Sequence, residues 1–452
     1  MKIHLASLGC ARNQIDSEIM LGRLKKTGAV ITDDPAEAEV IVVNTCSFIE
    51  SAADESIGTI LDLAKHKQQG VCRRLVVTGC LPERYREDIS EAIPEVDVFL
   101  GTGAFGQIVE AVDGYLDTTK CILPDPDAIS VSTPGAAQRV RNSPHMAYLK
   151  TAEGCDRHCT YCIIPKLRGR QKSRPLADIL AEARQLIQSN VRELVLVSQE
   201  TTAYGKDATT PVNFARLLES LAALAEEPVG RPSLSTDNRR FWIRFLYGHP
   251  ESLNEKIIAA VAQHASICSY VDVPIQHASR SILKRMGRRY GPEDLHDMVD
   301  NIRRKISDVA LRTTVIIGFP GETDKEFKEL MDFVESAQFE HLGCFVYSDA
   351  EDLPSHSLPD HVPAAKARER YRHLMMRQQE ISTKLNRRYR DRTLTVLVEQ
   401  HPESGLYTGR TEFQAPEVDG MTYIHADNLQ TGSFARVRIT DTLEYDLVGV
   451  VA

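Results

Sequence analysis

The sequence predicts an α/β chain in three blocks. A doubly wound parallel sheet comes first, then a partial parallel barrel of six strand-helix units, then a small closed β-barrel of the OB-like kind. Three observations predict it. Strand and helix signals alternate from residue 1 to about 118, and six further strand candidates separated by amphipathic stretches fill residues 145–362. From Thr393 to Ala452 the apolar period changes to two. A chain of 452 residues is also too long for a single hydrophobic core.

In the first block, KIHLASL, VIVVNT, RLVVTG and VDVFLG read as strands, with NQIDSEIMLGRLKKTG and residues 52–67 as helices between them. Three cysteines hold equivalent places in this alternation: Cys10 after LASLG, Cys46 after VIVVNT and Cys80 after LVVTG. Ligands of open parallel sheets gather outside the carboxyl ends of strands, so residues far apart in sequence can meet there. Cys72 and Cys121 lack such a position and read as ordinary thiols. Residues 119–144 carry PDPD, STPG and NSP with little periodicity, which reads as a linker.

In the second block the strands are AYLKT, ELVLVSQ, WIRFLYG, YVDVPIQ, LRTTVIIGF and HLGCFVYS. Directly after the first of them stand Cys155, Cys159 and Cys162, spaced C-x3-C-x2-C, so three thiolates converge from one tight loop. A structural zinc site takes four protein ligands. Three cysteines on a 4Fe-4S cluster instead leave one iron open to a small molecule, as reductive cleavage of S-adenosylmethionine (SAM) requires. The competing readings are a zinc knuckle completed by His158 and unligated thiols. Parallel barrels place their chemistry at the carboxyl ends of strands, which makes the other strand ends candidates for a nucleoside pocket. Tyr161 lies in the cysteine loop, Glu200 follows the second strand and is a carboxylate for the SAM amino group, and Gln276 follows the fourth. After the fifth come Gly318, where backbone can approach a ligand, and Glu322, which either holds a ribose hydroxyl or caps a helix. The run Arg168, Arg170, Lys172 and Arg174 either steers an anion or lies on a solvated loop. LKRMGRR (283–289) reads as a basic helix end, Cys268 and Cys344 as core, and residues 363–392 as a connecting helix.

The third block shows five short strands: LTVLVE, YTGRT, TYIHA, SFARVRIT and YDLVGVV. Residues 391–452 hold ten acidic side chains against four arginines and no lysine, a net charge of −6, which repels phosphate and favours a basic protein partner. The whole chain carries −9, which does not mark a nucleic-acid binder. No apolar run is long enough to span a membrane, and MKIHLASLGCARN lacks a secretory leader's apolar core. A cytoplasmic protein is expected, and ten cysteines in that compartment point to metal or redox chemistry rather than disulfides.

The three blocks together resemble the radical SAM methylthiotransferases over nearly the whole chain. The match rests on SLGCARNQIDSE, NTCSFIESA, TGCLPERY, GCDRHCTYCIIPKLRG, PIQHAS with LKRMGRRY, and IIGFPGET. The resemblance implies an N-terminal domain whose Cys10, Cys46 and Cys80 bind an auxiliary 4Fe-4S cluster. It further implies a radical SAM barrel whose Cys155, Cys159 and Cys162 bind the SAM cluster, and a C-terminal TRAM domain. One branch of the family modifies adenosine in tRNA; the other modifies an aspartate of small ribosomal subunit protein twelve. PIQHAS, YSDAEDLPSH and APEVDG resemble the second branch. That branch implies methylthio insertion at the aspartate β carbon, on free or ribosome-bound substrate, with an electron donor such as flavodoxin. Glu200 departs from the family's QDTTxYG run, where Asp stands. The alternatives at this stage are a tRNA-modifying enzyme of the same chemistry and a non-catalytic zinc-binding ribosome adaptor.

Overall fold

In the computed structural model, residues 1–116, 119–129, 131, 139–208, 212–226 and 241–452 are described. The opening alternation becomes an all-parallel sheet of β1 (Lys2–Ser7), β2 (Val30–Ile31), β3 (Val40–Thr45), β4 (Arg74–Gly79), β5 (Val98–Leu100) and β6 (Cys121–Ile122). Their order is β2-β1-β3-β4-β5-β6. Side chains alternate between its two faces. Val40 and Val42 of β3 pack with Met20 and Leu24 of helix α1 (Ala11–Lys26), and Ile41 and Val43 pack with Ala53, Ile60 and Ala64 of α2 (Glu50–Gln69). Both faces are therefore covered, as a doubly wound sheet requires.

The sequence reading misses β2 and β6, two-residue strands too short for any apolar period. β6 corrects the linker expectation for residues 119–144, because that stretch begins as an edge strand. The amides of Phe99 and Gly101 donate to the carbonyls of Lys120 and Ile122 at 2.8 and 2.9 Å. Residues 130 and 132–138 of the stretch lie outside the described residues.

The middle block forms two parallel triplets that meet edge to edge. Strand β7 (Met146–Lys150) leads into a two-stranded ribbon, β8 (Ala152–Glu153) with β9 (Lys172–Ser173), and then come β10 (Glu193–Val197) and β11 (Trp242–Phe245). The second triplet is β12 (Tyr270–Asp272), β13 (Ala310–Ile317) and β14 (His341–Val346). A parallel bridge from Ile243 to Ile267 joins the triplets into a six-stranded partial barrel. Alternate residues again divide the surface: Ala147, Leu149, Leu194, Leu196 and Phe245 pack outward with the helices, whereas Tyr148, Val195, Trp242 and Tyr270 face inward.

The last block is a closed barrel of β15 (Thr393–Glu403), β16 (Leu406–Thr411), β17 (Thr422–His425), β18 (Phe434–Thr442) and β19 (Leu447–Val451), in the order β15-β16-β17-β19-β18. It is not a loose appendage. Its Val396, Leu397, Tyr407 and Phe413 share one apolar cluster with the inward face of the middle block, and Trp242 meets Phe434 edge-on at 4.8 Å. Charge reinforces the seam. Buried Glu193 accepts from Arg244 at 2.7 Å and from Arg410 at 2.6 Å, and Asp419 accepts from the Tyr270 hydroxyl at 2.7 Å. Among the described residues no helix is long and apolar enough to cross a membrane.

Candidate functional site

The carboxyl ends of β1, β3 and β4, which are neighbours in the sheet, bring Cys10, Cys46 and Cys80 together. Cys10 stands at the N-cap of α1, Cys46 follows β3, and Cys80 opens the short helix α3 (Cys80–Tyr85). Gly9 permits the approach. At φ +91° it occupies left-handed backbone, and a Cβ there would lie 2.8 Å from the Cys46 Cβ. Buried Asn13 donates to the carbonyls of Leu8 and Thr45, and its own oxygen accepts from Arg168 at 2.6 Å. Arg168 also pairs with Asp16 at 2.9 Å and reaches the Cys80 sulfur at 3.8 Å. Burial pushes the Cys80 thiol up to about 11 and raises Cys46. Burial also opposes ionisation of Cys10, but Arg12, the Asn13 amide and Arg168 outweigh it and lower its pKa.

The second trio lies on the loop between β8 and β9. The helix Arg280–Arg285 and the turn after it brace that loop: the amide of Thr160 donates to Met286 at 3.2 Å and its hydroxyl to Arg285 at 2.8 Å. Gly287, at φ +77°, lets the two backbones touch, since a Cβ there would lie 2.6 Å from the His158 carbonyl oxygen. Burial holds Cys155 up at about 11 and Cys162 up at about 12. The raised thiols Cys46, Cys80, Cys155 and Cys162 hold their protons until a cation takes the proton's place, so metal binding there releases protons. Among the described residues no three His, Cys, Asp or Glu side chains meet closely enough to hold a single metal ion.

One cavity of about 410 Å³ opens beside the loop trio and reaches the N-terminal block. Cys155, Cys159 and Cys162 line one side; Arg12 and Phe48, each two residues past an N-terminal cysteine, line another; Val418 of the last barrel also reaches it. Three of the expected cofactor residues face it: Tyr161, Glu200 and Gln276. Glu200 pairs with Arg157 at 2.6 Å and accepts from the Ser252 hydroxyl. Burial raises its pKa, yet these partners hold it below the usual carboxylate range. Tyr161 accepts from Arg288, which also contacts His249. Burial, with Arg288 and Arg157 nearby, keeps His249 neutral.

Gly318 and Glu322, the other two expected cofactor residues, do not line the cavity. The Glu322 carboxylate is consumed internally: it accepts from the Gly318 amide at 3.0 Å and from Arg370 at 2.7 Å, and it lies 3.4 Å from His277. Gly318 packs against Ala367 of the helix Ala364–Asn386. The basic run past the cysteine loop is likewise mostly internal, with Arg168 on Asp16 and Arg174 on Glu182 at 2.7 Å. Cys268 is buried as expected, whereas Cys344 is only half-buried.

Sequence reasoning misses Arg12, Arg157, Arg288 and Arg312, all on the cavity wall. Only Arg12 and Arg157 carried a local signal, each lying within two residues of a motif cysteine. Arg312 is held by Asp272 at 3.1 Å and by Asp419 of the last barrel at 3.3 Å, an arrangement spread over three distant segments.

Known proteins divide along the same three blocks. Residues 2–101 match the model of an uncharacterized protein family, UPF0004, residues 149–334 that of the radical SAM superfamily, and residues 392–452 that of the TRAM domain. Over 452 residues, 99% of each chain, the sequence is 50% identical to the ribosomal protein uS12 methylthiotransferase RimO of Desulfosudis oleivorans. It is 44% identical to the protein of the same name from Geobacter sulfurreducens, over 100% of this chain and 98% of that one. The corresponding protein of Clostridioides difficile is also 44% identical, over 100% and 99%. Among solved structures, the radical S-adenosylmethionine methyltransferase TsrM from Kitasatospora setae superposes with a TM-score of 0.57 at 15% identity, covering 78% of this chain and 74% of that one. The cobalamin-dependent S-adenosylmethionine radical enzyme OxsB gives 0.53 at 13%, covering 84% and 56%. At such identities these two share the fold.

Proposed function

The chain belongs to the family of ribosomal protein uS12 methylthiotransferases, and on that premise we propose that it inserts a methylthio group at the β carbon of an aspartate of small ribosomal subunit protein twelve. The observation that carries the reading is one cavity lined by the loop trio of cysteines and by Arg12 and Phe48, each two residues past a cysteine of the N-terminal trio, with a wall from each of the three blocks. Cys155, Cys159 and Cys162 would hold the cluster that binds SAM, and Cys10, Cys46 and Cys80 an auxiliary one. Each donor set is three buried or half-buried thiols, the sulfur donor chemistry that an iron-sulfur cluster takes. When bound, cluster and SAM together supply a carbon radical able to take hydrogen from an unactivated C–H bond.

The chain's own residues bind, orient and exclude water. Glu200, kept anionic, offers an acceptor for the SAM ammonium, and Arg288, beside Tyr161 on the cysteine loop, a donor for the SAM carboxylate. Tyr161 and Gln276 complete that wall. Phe48, Phe345 and Val418, which are 41, 54 and 47% exposed, give the cavity an apolar rim that a protein segment would cover. Exposed Glu403, Asp427, Asp441 and Glu444 on the last barrel favour a basic protein over tRNA phosphate. A one-electron donor such as flavodoxin, and protein twelve free or on the ribosome, complete the proposal. Mass measurement of small-subunit proteins from cells lacking this gene tests it: protein twelve is expected to lose its methylthio increment, and a retained increment would refute the assignment.

A further inference from the structure

The target carbon proposed above is bonded directly to a carboxylate, and an aspartyl side chain cannot leave water for this cavity without a compensating cation. Four arginines line the cavity. Arg157 is committed to Glu200 and Glu251, and Arg312 to Asp272 and Asp419. Arg288 sits on the loop-cysteine side against Tyr161 and His249, where the SAM carboxylate would lie. Arg12 differs from all three. Among the described residues no carboxylate lies within salt-bridge reach of it, and only its Nη1 finds an acceptor, the Ser198 carbonyl at 2.8 Å. The ring of Tyr247 lies 4.7 Å from its guanidinium carbon, fixing the plane of the group. Glu153, whose charge it feels, is already held by Lys150 at 2.7 Å and by Gln199.

Position adds to this. Arg12 stands two residues past Cys10 on the first turn of α1, so its free donors border the cavity on the side of the N-terminal trio. Sulfur delivered from that side must meet the β carbon, and the carboxylate next to that carbon must be held there too. A guanidinium with one edge engaged by backbone and another edge free suits a bidentate carboxylate contact.

We propose that Arg12 anchors the carboxylate of the target aspartate and thereby selects an acidic side chain for modification. The inference rests on the proposed function. Its test is binding of a fluorescent peptide copying the target loop of protein twelve, with either Asp or Asn at the modified position, to anaerobically iron-loaded enzyme without reductant. Wild type is expected to prefer the Asp peptide by about tenfold or more, the scale of one charge-assisted pair. Arg12→Met is expected to bind the Asp peptide about tenfold more weakly and to lose the preference, with iron content and visible spectrum as in wild type. Arg12→Lys should recover part of the preference, because it restores charge without the bidentate fork. A Met variant that still prefers Asp by the wild-type ratio overturns the proposal and leaves the methylthiotransferase reading intact. Wild type that binds neither peptide counts against the substrate itself. Should the Met variant lose its iron, Arg12→Gln, which keeps an amide donor for the Ser198 carbonyl, takes the same measurement with the same two outcomes.

Discussion

The two cysteine trios reach similar donor sets by opposite routes. Cys155, Cys159 and Cys162 belong to one loop, and that loop needs an external brace, the backbone of the 285–287 turn. Cys10, Cys46 and Cys80 come from three strand ends whose spacing the sheet already fixes, and their surroundings are sealed by Asn13, Asp16 and Arg168. A loop site is encoded locally and held from outside; a strand-end site is encoded across the chain and held by its own core. The difference teaches that damage should separate them, each substitution disabling one trio while sparing the other.

The largest separation is expected from the ligands. Cys159→Ala should lower iron from about eight to about four atoms per chain and abolish reductive cleavage of SAM to deoxyadenosine. Cys46→Ala should lose a similar share of iron yet keep that cleavage, while methylthio transfer disappears. Anaerobic iron and sulfide analysis with product chromatography reads both, and equal loss of cleavage in the two variants would erase the contrast.

Next in size is Arg168→Met. Asp16 keeps Lys150 at 2.6 Å, but the buried Asn13 oxygen loses its donor, and an unsatisfied buried acceptor costs about 1–3 kcal/mol. Denaturant titration should show that loss, with the N-terminal trio releasing iron first. Gly287→Ala sharpens the other side. The added methyl meets the His158 carbonyl oxygen in a left-handed position costing about 1–2 kcal/mol, so iron on the loop trio should become the more labile.

The smallest effect concerns neither trio but the seam with the last barrel. Burial alone would raise the Glu193 pKa, but Arg410 and Arg244 outweigh it and hold the carboxyl below its ordinary range. A depressed folded pKa means stability that is present above the unfolded value, about 4.3, and lost as the pH falls through the folded one. Urea midpoints measured from pH 7 downward should therefore fall more steeply for wild type than for Glu193→Gln.

The same contrast explains what was legible in the sequence. The loop trio is a spacing within eight residues, and the strand-end trio could be read because each cysteine follows an apolar run of visible period. β2 and β6, two residues each, carry no period at all. Gly318 and Glu322 were ambiguous because a strand-end glycine and acid suit helix and loop packing as well as ligand contact, and here Arg370 from a distant helix pairs with the carboxylate. Arg288 was read as part of a basic helix end. Only the bend at Gly287, seen against the cysteine loop, turns it inward. Arg312 depends on an acid more than a hundred residues away, Asp419, which no local pattern announces.

The central claim, two sulfur trios serving one reaction, is tested most directly by a single incubation. Anaerobically iron-loaded protein, SAM, a reductant and the protein-twelve peptide are combined, and the peptide mass is read. The account predicts a methylthio increment on the aspartate that vanishes with either Cys46→Ala or Cys159→Ala. An increment that survives the loss of Cys46 would contradict it.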